Sequence, residues 1–519
     1  MLLHHKFIEI AKKHGKRLAI VDRTTDRKVT YSKALIASLI LAKKFQFYDS
    51  GFIGIMVPTS AGACLSVLGA LMCNRVPVMI NYSTGAEKNA RFAQQKCNFH
   101  TIITSRKLLE KIQCPQIDGM VFLEDLMEGV TKWDKIRAAV LSMLPAKLIQ
   151  NLTGAAREDD TSVILFTSGS EKEPKAVQLS HANIHSNIVG FTEALDLQEG
   201  GRELVNLPLF HVFGLTTSLW TPIYHAMTMV TYANPLEFKT ISNIVREEQI
   251  TMMVGTPAFF WGYLLKSEKG DYASVRLAVC GADKCPARLR EAFEKKHGVT
   301  LLEGYGATET SPVVSTNTHT ANKPGSVGRP IPNVDVKIQD YETGDECQPG
   351  DIGKILVKGP CIMKGYFDDL EETSIRIQRG WYDTGDMGYL DPDGFLWHAG
   401  RLKRFVKIGG EMVSLVAVEE ALNSVLPDSC ECCVVELPDV TKGAKIVAAL
   451  SEEVDWTTVK SDLAAYLPPI AIPKHYIILP ELPKMGSGKI DFRTTTNLVR
   501  DNLHGSSATM LKSLPHHQD

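Results

Sequence analysis

Two hydrophobic periods alternate along the N-terminal part of the chain. Short apolar runs of strand character at 19–21, 51–57, 76–80 and 101–104 are separated by stretches at 31–45, 61–73 and 86–97 whose apolar residues recur at helical spacing. Pro77 weakens the third run, because a proline cannot donate to a strand ladder. Such alternation predicts an α/β fold: a parallel sheet covered by helices, with its ligand beyond the carboxyl ends of the strands. A further apolar run starts at Ile164 and breaks into Thr167-Ser168-Gly169-Ser170, followed by Lys175. Backbone N–H groups and hydroxyls can approach an anion closely there, and the lysine adds a point charge, so the segment reads as a strand feeding a phosphate loop. An ordinary Ser/Gly turn between two strands has the same composition.

Farther along, 204–232 carries no acidic or basic side chain apart from histidine, but Pro208, Gly214 and Pro222 cut it into pieces. That suits buried core and pocket wall rather than a membrane span. His211 stands there between aromatic residues, a setting common for packed core histidines, with no Ser/Asp partner nearby for a triad. The stretch 133–152 sets Ile136, Val140, Leu141, Met143, Leu144, Leu148 and Ile149 among Lys132, Lys135, Arg137 and Lys147 and is broken by Pro145. It suits an anionic membrane surface or, more commonly, a surface helix packed by its apolar face.

Two strand-like runs end in glycine turns, one at Gly281-Ala282-Asp283 and one at Gly304-Tyr305-Gly306-Ala-Thr308-Glu309. The second offers a tight turn, a flat ring, a hydroxyl and a hard oxygen ligand suited to magnesium. After Gly325 short strands and acidic turns take over, among them Tyr382-Asp-Thr-Gly-Asp386. The basic run Gly400-Arg401-Leu-Lys403-Arg-Phe-Val-Lys407-Ile-Gly409-Gly410-Glu411 reads as a linker into a C-terminal unit of about 100 residues. That unit closes on Met485-Gly-Ser-Gly-Lys489, and the last residues read as a frayed tail.

Composition narrows the classes. With 519 residues the chain has room for more than one domain, and 44% hydrophobic with 22% charged residues is ordinary for a globular protein. A net charge of -2 argues against bulk nucleic-acid binding. Eleven cysteines, an odd number, suggest reduced thiols and a cytoplasmic setting, to which the stretch 133–152 adds an association with the inner face of the membrane. Cys430, Cys432 and Cys433 lack a second Cys/His pair at zinc-site spacing and run into Val434-Val435 as a strand would. The N-terminus has helical spacing rather than a secretory apolar block, and nowhere do about 18 clean apolar residues occur together.

Taken in order, the loop at 167–175, the turn at 304–309, Tyr382 to Asp386, Gly400-Arg401 and Gly488-Lys489 resemble the adenylate-forming superfamily of acyl-CoA synthetases, peptide-synthetase adenylation domains and beetle luciferases. The resemblance covers nearly the whole chain. Leu-Pro-Leu-Phe-His211, Leu-Glu-Gly-Tyr-Gly306, the run 403–415 and 485–489 look most like the acyl-acyl-carrier-protein synthetase module of the bacterial bifunctional 2-acylglycerophosphoethanolamine acyltransferase/synthetase. No acyltransferase domain precedes that module here, which sets aside the lysophospholipid half of the bifunctional activity. Two departures stand out: Lys172 and Ala176 occupy positions where the family loop usually has glycines.

The resemblance implies a large N-terminal domain over 1–402 with a β-rich part from about 325, a small mobile C-terminal α+β domain over 403–501, and a tail over 502–519. It implies attack of a carboxylate on the α-phosphorus of ATP with loss of pyrophosphate, then attack of a thiol on the acyl-adenylate. Thr167, Ser168, Gly169, Ser170 and Lys175 would take the β/γ-phosphates, Thr308 the α-phosphate and Glu309 a Mg2+ ion. Gly281, Ala282, Asp283 and Tyr305 would enclose adenine, and Asp386 with Arg401 would hold the ribose. Lys489 would bridge carboxylate and α-phosphate, which with Thr308, Glu309 and His211 completes the catalytic candidates. Lys403 would be the hinge, and Lys407, Gly409, Gly410 and Glu411 would swing to a thiol tunnel.

Val212 to Tyr232 holds no acid for a substrate ammonium, and Leu215, Leu219, Trp220, Thr256, Ala258 and Phe259 suggest an apolar slot, so a fatty acid is the expected substrate. These residues suit a core equally well. The expected acceptor is acyl carrier protein, with free CoA as the alternative. A non-catalytic lipid-binding protein that keeps the fold is a reading of another class, prompted by Lys172 and Ala176.

Overall fold

The computed structural model describes residues 1–167, 174–408, 411–427, 429–439, 443–484 and 490–504. Ser168, Gly169, Ser170, Lys172, Gly409, Gly410 and Lys489 therefore lie outside the described residues.

The helices start where their sequences supply caps. Thr30 and Ser60 accept the Lys33 and Ala63 amides at the heads of the helices Tyr31–Phe45 and Ala61–Met72. Between such helices the strands assemble into two large sheets. One runs in the order Gly365–Tyr366, Ala176–Ser180, Thr161–Phe166, Arg75–Met79, Gly51–Met56, Ile102–Thr104, Met120–Phe122. The other runs Arg329–Pro330, Val313–Thr316, Leu301–Gly306, Leu277–Cys280, Met252–Gly255, Arg202–Val205, Thr228–Thr231, Leu18–Asp22, Arg27–Thr30. Both are parallel at their centres, as alternation demands, but antiparallel at edges: Arg27–Thr30 folds back on Leu18–Asp22, and Ala176–Ser180 on Thr161–Phe166. The expectation of a parallel sheet thus becomes a mixed one.

Pro77 lies inside the first sheet, opposite Ile53. The strand tolerates it because pairing to its other neighbour begins only at Val78, so no ladder bond from Pro77 is required on that side. One apolar core joins the two sheets, with Ile55 and Leu165 from the first and Met229 from the second, together with Leu219 and Trp220. The carboxyl ends of the central strands consequently converge: Phe166, Val57, Val254 and Val279 all open onto one cavity.

The β-rich part after Gly325 forms a separate antiparallel sheet built on Gly353–Lys358, Trp381–Leu390 and Leu396–Arg401. Its strand Trp381–Leu390 carries Asp386 to the cavity. The C-terminal unit combines the hairpin Phe405–Ile408/Glu411–Ser414 and a sheet of Cys432–Asp439, Gly443–Leu450 and His475–Ile478 with three helices. Cys430 and Cys432 pack into one of its cores and Cys433 into another, and all three are free thiols. Among the described residues no His/Cys/Asp/Glu group is arranged to hold a metal ion.

The stretch 133–152 folds as two helices, Lys132–Met143 and Ala146–Leu152. The commoner expectation, a helix packed by its apolar face, is met only in part: Ile149 is buried and Leu144 packs against the core, whereas Trp133, Ile136, Val140, Met143 and Leu148 are exposed. Among the described residues no helix is long and apolar enough to cross a membrane.

Candidate active site

A cavity of about 1980 Å³ lies between the strand ends and the C-terminal unit. Drug-sized ligand sites are about 300–1,000 Å³, so this space can take a nucleotide and a second ligand together. Thr167, Lys175, His211, Gly281, Ala282, Asp283, Tyr305, Thr308, Glu309, Asp386, Arg401 and Lys403 all line it. Segments remote in sequence thus meet at one place.

The turn at 304–309 owes its shape to close backbone packing. A side chain at Gly306 would sit 2.0 Å from the Pro312 carbonyl oxygen, so only glycine fits. Glu309 follows in a short 3-10 turn and is buried. Its Oε1 accepts a 2.8 Å hydrogen bond from the Tyr366 hydroxyl, which fixes the carboxylate facing the cavity. A single carboxylate held in this way fits magnesium, which keeps several water or phosphate oxygens and takes only one or two protein carboxylates.

Lys175 is held at the same end. Its ammonium pairs with Glu372 and lies over the Tyr366 ring, 4.9 Å from the centroid. Arg376 also pairs with Glu372, at 3.0 Å. The ion-pair hydrogen bond from Lys175 holds the Glu372 carboxyl below its usual range, with Arg376 adding to the effect against the cost of burial. Two cations thus share one carboxylate beside the loop predicted to hold phosphates.

Asp386 forms a second polar centre. Tyr305 donates its hydroxyl to Oδ2 at 2.6 Å, while Oδ1 faces Arg401 Nε at 3.5 Å and His398 Nε2 at 3.8 Å. Burial pushes this carboxyl up, but His398, Arg401 and the Tyr305 hydrogen bond outweigh it and hold the group below its ordinary value. The residue is therefore an anion at neutral pH, with an oxygen available to hydroxyls. Sequence reasoning missed His398, Tyr366, Glu372 and Arg376. The signal for His398 was its place three positions before Arg401, on the strand that pairs with Asp386; the other three carried none.

The apolar wall differs from expectation. Leu215, Leu219 and Trp220 are fully buried in the core and do not line the cavity, and Ala258 is exposed outside it. The backbone at Thr216–Trp220 is a π-helical turn, with Leu219 and Trp220 in the core and Thr217 on the cavity side. Thr256 and Phe259 do line the space, together with Val212, Phe213, Val254 and Val279. His211 also lines it, its ring 4.5 Å from that of Phe210.

Arg401 reaches back to Asp386, whereas Arg404 pairs with Glu419 at 2.6 Å and donates to the Val434 carbonyl in the C-terminal unit. Leu402 and Lys403 stand between these two anchorages. Lys407 does not line the cavity and pairs with Glu342 at the surface; the tunnel position expected for it belongs to the arrangement after rotation of the C-terminal unit. Of Glu411 only the backbone is described, in the strand Glu411–Ser414. Ile490, next to Lys489 in sequence, lines the cavity.

Comparison with known proteins adds relatives to this geometry. A profile of AMP-binding enzymes matches residues 7–367, and one for the AMP-binding enzyme C-terminal domain matches 417–489. The chain is 34% identical over 524 aligned positions to the long-chain-fatty-acid–CoA ligase of Bacillus subtilis, covering 95% of this chain and 92% of that one. It is 32% identical over 336 positions to an indoleacetate–CoA ligase of Aromatoleum aromaticum, covering 63% and 65%. In three dimensions it matches the o-succinylbenzoate CoA synthetase of Bacillus subtilis, solved with an acyl-adenylate intermediate, with a TM-score of 0.82 at 24% identity over 95% of this chain and 97% of the other.

Proposed function

The chain belongs to the AMP-binding enzyme family, with the adenylate-forming fold of its acid–thiol ligases, and from that premise we propose that it is an ATP-dependent fatty acyl-CoA ligase. The observation that carries the substrate class is the apolar wall of Val212, Phe213, Val254, Phe259 and Val279, which contains no carboxylate to partner an amino-acid ammonium. The acceptor is revised. Acyl carrier protein was the expectation, but the relatives are CoA ligases, and free CoA is the better-supported thiol.

In this reading the substrate carboxylate attacks the α-phosphorus of ATP, the bond to pyrophosphate breaks, and the CoA thiolate then displaces AMP from the acyl carbonyl. Lys175 and the loop 167–170 take the β/γ-phosphates, Lys175 exchanging Glu372 for phosphate oxygens. Thr308 contacts the α-phosphate, and Glu309 would hold the magnesium that accompanies the nucleotide and neutralises its phosphates. Asp386, oriented by Tyr305 and His398, accepts the ribose hydroxyls with Arg401 beside them. Gly281 to Asp283 flank adenine. Lys489 bridges carboxylate and phosphate during adenylation, and rotation of the C-terminal unit about Leu402–Lys403 withdraws it before thioester formation.

The decisive experiment offers purified protein ATP, magnesium and a radiolabelled fatty acid with either CoA or acyl carrier protein. Pyrophosphate release with acyl-CoA as product is expected. Product only with carrier protein would restore the original acceptor, and absence of fatty-acid-dependent pyrophosphate release would favour a non-catalytic lipid-binding protein. Lys489→Ala should lose adenylation yet largely keep thioester formation from supplied acyl-adenylate.

A further inference from the structure

The helix Lys132–Met143 presents its apolar stripe to solvent. Trp133, Ile136, Val140 and Met143 recur at i, i+3, i+7 and i+10, and are 78%, 52%, 56% and 78% exposed. That spacing keeps them on one face, opposite Ala138, the helix's buried residue. The following helix Ala146–Leu152 adds Leu148 and Leu152, both exposed, while Ile149 is buried beneath.

The hairpin is fixed in place. Asp134 pairs with Lys44 at 3.2 Å, and the Lys12 ammonium donates to the Ser142 and Met143 carbonyls. Gln150 donates to the His5 carbonyl and to Glu9. These contacts hold Ala138 and Ile149 inward and leave the stripe of Trp133, Ile136, Val140 and Met143 facing outward.

Charge identifies what covers this face. Lys132, Lys135, Arg137 and Lys147 are exposed around it, and Asp134, the one acid in these two helices, is taken up by Lys44 and by the capping of its own helix. An outward apolar stripe with an exposed tryptophan and a basic border matches the interface of an anionic bilayer, where apolar side chains enter the acyl boundary and cations meet headgroups.

We propose that the hairpin 132–152 docks the protein on anionic lipid surfaces. Docking would set an opening of the large cavity at the membrane. Met127, half exposed and six positions before Trp133, lines the cavity, as do Leu123 and Glu128 from the same short helix. Ala37 and Leu41 line it from the helix Tyr31–Phe45, which bears the Lys44 contact to Asp134. Vesicle binding by this hairpin is independent of which acid the cavity takes.

The test is sedimentation of the full chain with vesicles of phosphatidylglycerol and phosphatidylcholine, or of phosphatidylcholine alone. Binding to the anionic vesicles should exceed that to neutral ones by about tenfold or more and weaken as salt shortens the screening length. Trp133→Ser with Met143→Ser should lose about tenfold or more of that binding. Leu265→Ser, at an exposed leucine elsewhere, should leave it unchanged, and thermal melts and turnover of a short water-soluble acid should be the same in all three proteins. No binding to the anionic vesicles, equal binding by the double variant, or a solution dimer that the double variant dissociates would each overturn the proposal, the last because the face would then be covered by a second copy.

Discussion

Lys175 and Glu372, 197 positions apart, form an ion pair at one end of the cavity. The carboxylate holds the ammonium where phosphate oxygens are proposed to bind, and an anion beside an anion-binding group opposes the incoming ligand. Glu372→Gln should therefore tighten pyrophosphate and MgATP binding by roughly three- to tenfold at low salt, an effect that shrinks as salt rises. Calorimetric titration with pyrophosphate measures it. Weaker binding in the variant would mean that Glu372 positions Lys175 rather than competing for it.

Tyr366→Phe removes the 2.8 Å hydrogen bond that orients Glu309 and leaves the ring under Lys175 in place. Loss of such an outer-shell partner typically costs about 10–100-fold in metal affinity or activity. The magnesium dependence of adenylation should shift to higher concentration, with excess magnesium recovering part of the rate. An unshifted magnesium curve would separate Tyr366 from the role of Glu309.

Asp386→Asn replaces an anion that Tyr305, His398 and Arg401 hold ionised with a neutral amide. Hydrogen bonds to a charged group contribute about 1.5–3 kcal/mol, so the KM for ATP should rise by roughly one to two decades. His398→Ala, which leaves the Tyr305 hydrogen bond intact, should raise it less. Because the Asp386 carboxyl lies below its usual value, its ionisation should leave no acid limb above pH 5 or so in the pH profile of ATP binding.

Glu203, in the strand Arg202–Val205, is fully buried with neither carboxyl oxygen in a well-formed hydrogen bond. Burial pushes its carboxyl well above the ordinary 4.5, only the Ser218 hydroxyl pulling the other way. The folded state therefore holds a proton that the unfolded chain gives up. The stability from this protonated group is fully present below the unfolded pKa and is lost as pH rises toward the folded one, with a slope on the order of 1.4 kcal/mol per pH unit. Glu203→Gln should gain on the parent as pH increases from 4 to 8 or so in denaturant titrations. A constant difference between the two proteins over that range would refute the assignment.

Reading the chain in order was enough for the helix limits at Tyr31–Phe45 and Ala86–Cys97, for the meeting of strand and glycine turn at 304–309, and for the family resemblance. Those features are local: helical period, capping residues and turn glycines are written within a few positions of where they act. Only the tertiary structure decided what each side chain meets. Tyr366 reaches Glu309 over 57 positions and Tyr305 reaches Asp386 over 81, and no spacing rule links residues so far apart. The sequence told which residues of 212–224 are apolar but not which of them face a ligand, and the fold placed Leu215, Leu219 and Trp220 in the core. Along 132–152 the sequence determined a basic amphipathic stretch broken at Pro145; contacts with Lys44, Lys12, His5 and Glu9 on neighbouring elements decided which of its apolar residues turn in, as Ile149 does, and which face out, as Trp133 and Met143 do.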